Sequence, residues 1–116
     1  MNARTVGNHV LADISGSTSL LLNDAAGLEA LLVEASERVG ATVLTSHHHI
    51  FEPQGATAVV VLAESHVSIH TWPEWGGATL DAYTCGDVDP EALIQIVIDR
   101  LAPENIRTAS VPRVVP

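Results

Sequence analysis

Three residue types capable of chemistry fall close together in the second half of the chain: Ser65, His70 and Cys85. They belong to two polar stretches set in apolar surroundings, Glu64-Ser65-His66-Val67-Ser68-Ile69-His70-Thr71-Trp72-Pro73-Glu74 and Tyr83-Thr84-Cys85-Gly86-Asp87. A serine hydroxyl is a nucleophile once a base takes its proton, and histidine is the side chain best matched to that task near neutral pH. A serine hydrolase would also need an orienting carboxylate, for which Asp81 or Glu74 is available, and an oxyanion hole. The GxSxG nucleophile elbow is absent around Ser65, which argues against that class. A metal site is the second chemistry to weigh. His47, His48 and His49 are consecutive, and on a strand His47 and His49 share a face that His66, His70 or Cys85 would have to join. Their spacing matches no established zinc signature, so the reading is no metal, with the histidines lining a cleft or an edge.

Positioning these residues requires strands. His9–Ile14 reads as a first strand and Ala41–His49 as a second. Ala56–Ala63 (ATAVVVLA) is a nearly unbroken apolar run, the mark of a central strand. His66–Trp72 alternates, with Val67, Ile69 and Thr71 on one side and His66, Ser68, His70 and Trp72 on the other. Ala78–Thr84 follows after a Pro-Glu-Trp-Gly-Gly turn, and a last strand is expected within Ala109–Val115. Two helices complete the pattern. One is capped by Asn23 or Asp24 and stops at Gly40, with Leu28, Leu31, Leu32, Ala35 and Val39 on one face. The other starts at Asp89-Pro90-Glu91 and runs to about Leu101. The order β-α-β-β-β-β-α-β, with short turns, predicts a single α/β domain over residues 1–116. It is a two-layer sandwich, an antiparallel sheet with both helices on one face. The other sheet face is then open, and an apolar open face invites a second copy, so a homodimer is expected.

Composition narrows the partners. The chain has 116 residues, 47% of them hydrophobic, enough for one buried core. With five basic residues and a net charge of −9, a nucleic-acid partner is not expected. A negative field favours a small cationic, amino-acid-type substrate, although acidic surfaces also serve solubility alone. No apolar run is long enough to span a membrane and the first residues carry no secretory pattern, so a cytoplasmic protein without a membrane partner is expected. A single cysteine cannot form an internal disulfide.

The two polar stretches, with Gly7-Asn8-His9, Phe51-Glu52-Pro53-Gln54-Gly55 and Val88-Asp89-Pro90, resemble the small prokaryotic S-adenosylmethionine decarboxylases in register over about residues 7–101. The resemblance implies a proenzyme that cuts itself between Glu64 and Ser65, giving chains 1–64 and 65–116. Ser65 attacks the preceding carbonyl, and the peptide becomes an ester. Loss of the serine Cα proton then expels the upstream chain as a carboxylate. The remaining dehydroalanine tautomerises and loses ammonia, leaving a pyruvoyl group formed from Ser65 as the cofactor. That group condenses with the substrate amine and takes up the electrons left when CO2 departs. By the same resemblance His70 is the base of self-processing, Cys85 the acid that protonates the substrate carbon, and Thr57 a processing aid where a serine is usual. Phe51 would offer an aromatic face to adenine or the sulfonium, and Glu74 would contribute to the pocket.

The sequence departs from the family pattern at Ala56-Thr57-Ala58, where Val-Ser-Gly is common, and at Glu52 and His47-His48-His49-Ile50. These changes bear on the substrate more than on the reaction. The leading expectation is decarboxylation of S-adenosylmethionine to the aminopropyl donor for spermidine synthesis. The alternative within the family is arginine or ornithine, with Glu52 meeting the distal cation. The alternative from another class is a homologue that never cleaves and serves as a partner subunit or metal-binding module.

Overall fold

A computed structural model describes residues 4–116. Six strands form one antiparallel sheet in the order β2-β3-β4-β5-β1-β6. They are β1 (Arg4–Ser15), β2 (Val43–Ile50), β3 (Ala56–Leu62), β4 (Ser65–Trp72), β5 (Gly77–Thr84) and β6 (Asn105–Val115). Helix α1 (Ala25–Arg38) packs on β2 and β3, and α2 (Pro90–Leu101) on β5 and β1, both on one face. This is the two-layer sandwich that the sequence predicts.

The helix signals act as read. Asp24 accepts from the Gly27 N–H at the start of α1, and Asp89 accepts from the Glu91 and Ala92 N–H groups at the start of α2. Val67 and Ile69 of β4, Ala58 and Val60 of β3, and Val10 and Ala12 of β1 meet Leu28, Leu32, Leu93 and Val97 in the core between sheet and helices. Most of these sheet residues are small, which lets the helices sit close. The first and last strands of the chain are longer than expected: β1 begins at Arg4 and β6 at Asn105. Their extra length pairs mutually, Arg4 with Val115 and Ser15 with Asn105, so tertiary pairing rather than apolar alternation defines them.

The uncovered face is only partly the apolar surface expected from the sequence. Leu11, Val61 and Val111 are exposed on it, but its centre is polar, because the alternation of β4 and β5 sends His66, Ser68 and Asp81 there. Among the described residues no helix is long and apolar enough to cross a membrane.

Candidate active site

The turn between β3 and β4 is tightly constrained. Leu62 pairs with Ser65, so Ala63 and Glu64 alone reverse direction. Ser65, the first residue after the turn, has φ 136°, a backbone conformation that glycine adopts readily and other residues rarely. Strain of this kind is worth of order 1–3 kcal/mol and persists only where surrounding contacts hold it. The Glu64 carbonyl, which Ser65 would attack, accepts the Cys85 N–H at 3.0 Å. A donor already aimed at that oxygen is suited to stabilise negative charge developing there.

Cys85 is half-buried just past the end of β5. Ser65 pairs with Thr84 across the strands, and the Thr84 hydroxyl donates to the Val88 carbonyl at 2.8 Å, closing the loop that carries Cys85. The bulge at Gly7 brings β1 alongside. A Cβ on Gly7 would lie 2.7 Å from the Thr84 carbonyl oxygen, so only glycine fits there. Gly7, Asn8, Thr84 and Cys85 line one open cleft.

His70 lies elsewhere. Five residues along β4 from Ser65, at about 3.3 Å per residue, it is about 16 Å away. Convergence of Ser65, His70 and Cys85 within one hairpin, as the sequence invites, therefore does not occur in a single chain. Instead His70 is exposed beside Thr57, with which it shares a hydrogen bond of 2.9 Å between Nδ1 and Oγ1. Both line a second cleft of about 350 Å³ together with Phe51, Gln54, Trp72 and Glu74. Its floor is set by Gly55 at φ 97°, where a Cβ would press the Thr71 carbonyl oxygen at 3.0 Å. Thr71 is buried, and its hydroxyl donates to the Leu22 carbonyl and accepts from the Ala56 N–H, locking this end of β4. Phe51 and Glu74 thus line the same cleft as His70 and Thr57. Glu52 is exposed and does not line the cleft. Trp72 and Gln54 were not singled out from sequence. Trp72, half-exposed and stacked on Trp75 with ring centroids 6.4 Å apart, was signalled by its even position in the alternating strand.

Between the two clefts, Asp81 is a hub. Its carboxylate accepts from His9 Nε2 at 2.7 Å, from His66 Nε2 at 2.8 Å and from the Ser68 hydroxyl. Arg113 donates to His9 Nδ1 at 3.0 Å, which fixes the His9 tautomer. His66 therefore joins His9 and Asp81. His47 and His49 stay on edge strand β2, where His49 packs edge-on to Phe51 and His47 bonds Thr45. His48 turns to the helix side and pairs with Glu29 at 2.6 Å. His9, His66 and Asp81 are close enough together to chelate a cation, but each ligand atom is already engaged in a hydrogen bond.

Burial by itself would raise the Asp81 carboxyl, but the hydrogen bonds from His66, Ser68 and His9 outweigh it and hold Asp81 well below the usual carboxylate range. The bond to Asp81 in turn raises His66, against the effect of burial. The contribution of Asp81 to stability is thus present above the usual carboxylate pKa and lost as pH falls through its depressed value. That of His66 is complete below its usual value and lost as pH rises through its raised one. We predict that Asp81→Asn costs about 1–3 kcal/mol, allowing for partial solvent exposure. The loss should be largest between about pH 4 and 6.5 and shrink at higher pH. Urea unfolding of the two proteins at several pH values, both carrying Ser65→Ala, measures it; a difference independent of pH would refute the ion-pair account.

The family model described as S-adenosylmethionine decarboxylase matches residues 8–114. A protein of Brevibacillus brevis named S-adenosylmethionine decarboxylase proenzyme is 50% identical over 106 residues, covering 90% of this chain and 80% of that one. One of Methanococcus maripaludis (strain S2 / LL) with the same name is 42% identical, covering 95% of this chain and 91% of its own. The crystal structure of the adenosylmethionine decarboxylase from Aquifex aeolicus superposes with a TM-score of 0.87 at 40% identity, covering 95% of this chain and 92% of that one. With sequence and fold agreeing from β1 through β6, the chain belongs to the S-adenosylmethionine decarboxylase family.

Proposed function

We propose that this chain is a precursor that cuts itself between Glu64 and Ser65 and then, using a pyruvoyl group formed from Ser65, decarboxylates S-adenosylmethionine. The observation that carries the reading is the geometry of the bond to be cut. A serine at φ 136° follows a carbonyl already held by an amide donor, the Cys85 N–H. In the first step the Ser65 Oγ–carbon bond forms, the Glu64–Ser65 C–N bond breaks, and the hydroxyl proton ends on the freed amine. The Cys85 amide stabilises the oxyanion formed in passing.

The pyruvoyl group supplies the carbonyl that engages the substrate amine and takes up the electron pair released with CO2. The residues of the chain do the rest. Phe51 and Trp72 offer aromatic faces to a flat or cationic group, and Glu74 adds a carboxylate beside them. The overall negative charge draws a cationic substrate in. The Cys85 thiol, on the Ser65 side, delivers the proton to the substrate carbon. Glu52, which would have met the distal cation of arginine or ornithine, is outside the cleft, which removes the feature that spoke for those substrates.

One chain holds Ser65 and Cys85 at one end of β4 and Thr57, His70 and the aromatic cleft at the other. A twofold pairing of open sheet faces sets these ends against each other, so that the His70 of one copy serves the Ser65 of its partner. This makes the homodimer a requirement of the chemistry. The test is to offer carboxyl-labelled S-adenosylmethionine, arginine and ornithine to the purified protein and count released CO2. Release from S-adenosylmethionine alone is expected. Cys85→Ala should still cleave but decarboxylate about 100-fold more slowly. Release from arginine or ornithine without any from S-adenosylmethionine would sink the substrate assignment.

A further inference from the structure

The side chain of Glu64 reaches the connection between α1 and β2, where its Oε1 accepts the Thr42 N–H at 2.9 Å. The Thr42 carbonyl in turn accepts the Ala63 N–H at 2.9 Å. The backbone of one residue therefore grips both residues of the turn. On the far flank His66 is tethered through Asp81 at 2.8 Å. Ser65, with its left-handed φ, is the link between the two tethers.

We propose that Glu64 is a positioning residue for the cleavage of its own peptide bond: its carboxylate anchors the turn to Thr42 and keeps Ser65 in the strained conformation from which its hydroxyl attacks. This deepens the self-cleavage reading above and rests on it. A two-residue turn that ends on a non-glycine residue at positive φ relaxes if either flank is free to rotate. The Cys85 amide holds only the carbonyl and cannot alone prevent the turn from rolling about its ends. The Thr42 anchor closes that route with a charge-assisted bond, the stronger kind. Neither Thr42 contact uses the bond that breaks. The same anchor therefore keeps the new C-terminal residue in place after cleavage, with its carboxylate beside the Cys85 amide.

The experiment follows the first-order conversion of freshly made protein by denaturing electrophoresis. Glu64→Ala should convert at least about tenfold more slowly than the parent, since small misplacements of reacting groups cost at least that much. Glu64→Gln keeps an acceptor oxygen and should recover most of the loss, to within about threefold of the parent. Hydroxylamine should release no extra fragment from Glu64→Ala, because the anchor acts before the ester forms. Thermal melting of Glu64→Ala against its parent, both carrying Ser65→Ala, establishes that the fold survives. A Glu64→Ala protein that cleaves as fast as the parent overturns the anchor alone, as does a Glu64→Gln protein as slow as Glu64→Ala. A parent chain that stays whole overturns the self-cleavage reading, and the anchor with it.

Discussion

Ser65→Ala is expected to remain a single chain under conditions in which the parent resolves into residues 1–64 and 65–116, the second with a blocked amino terminus. The effect is all-or-none because the substitution deletes the hydroxyl that the proposed attack on the Glu64 carbonyl requires. The hydroxyl of Thr84, which pairs with Ser65 across the strands, is committed to the Val88 carbonyl. Alanine also keeps a Cβ at the φ 136° position, so the turn remains as constrained as before and loss of cleavage reports the hydroxyl. Intact-mass measurement before and after long incubation at neutral pH decides the matter. A parent that stays whole would refute the enzyme reading, and a Ser65→Ala protein that still divides would move the nucleophile to another residue.

The second large effect concerns His70, and its outcome depends on which copy carries the change. His70→Ala alone should stall, because nothing then removes the Ser65 Cα proton, and hydroxylamine should cut the trapped ester. Co-expression of Ser65→Ala with His70→Ala copies should restore cleavage, and only of the His70→Ala chain. In a mixed dimer that chain contributes the intact serine while its partner contributes the intact histidine; the opposite site lacks both. Random pairing of equal amounts sets the yield at about half of the His70→Ala chains. The fragment 65–116 would carry the His70→Ala mass, which identifies its origin. No fragment in the mixture would refute an active site shared across the sheet faces. Full cleavage of His70→Ala alone would remove the histidine from processing.

The fold was legible wherever one physical signal dominated. Asp24 and Asp89 cap helices because an oxygen before a helical run has amide hydrogens to accept from, and the alternation of β4 told its two faces apart residue by residue. The ends of β1 and β6 were not legible, since they depend on each other across a large sequence separation. At the site, residue types were legible and distances were not. Ser65 and His70 look adjacent in a linear motif, yet a strand spends its length quickly, and five residues carry them to opposite ends of the sheet. The Asp81 hub escaped notice because its partners come from three other strands: His9 of β1, His66 and Ser68 of β4, and Arg113 of β6 by way of His9. The strain at Ser65 was equally invisible, because only the closed hairpin shows that a serine occupies a position suited to glycine.

The strand order has a consequence for the proposed cut of the Glu64–Ser65 bond. Strand β1 belongs to the first fragment but lies between β5 and β6 of the second, while β3 of the first fragment pairs with β4 of the second. The two pieces are interleaved, and neither can leave without opening three ladders. While native, the nicked protein behaves as one body. When denatured it becomes two solutes, and reassembly changes from a unimolecular to a bimolecular reaction. Its recovery then requires two fragments to meet, a step that the folding of one uncut precursor chain does not contain, so dilution penalises the nicked form more.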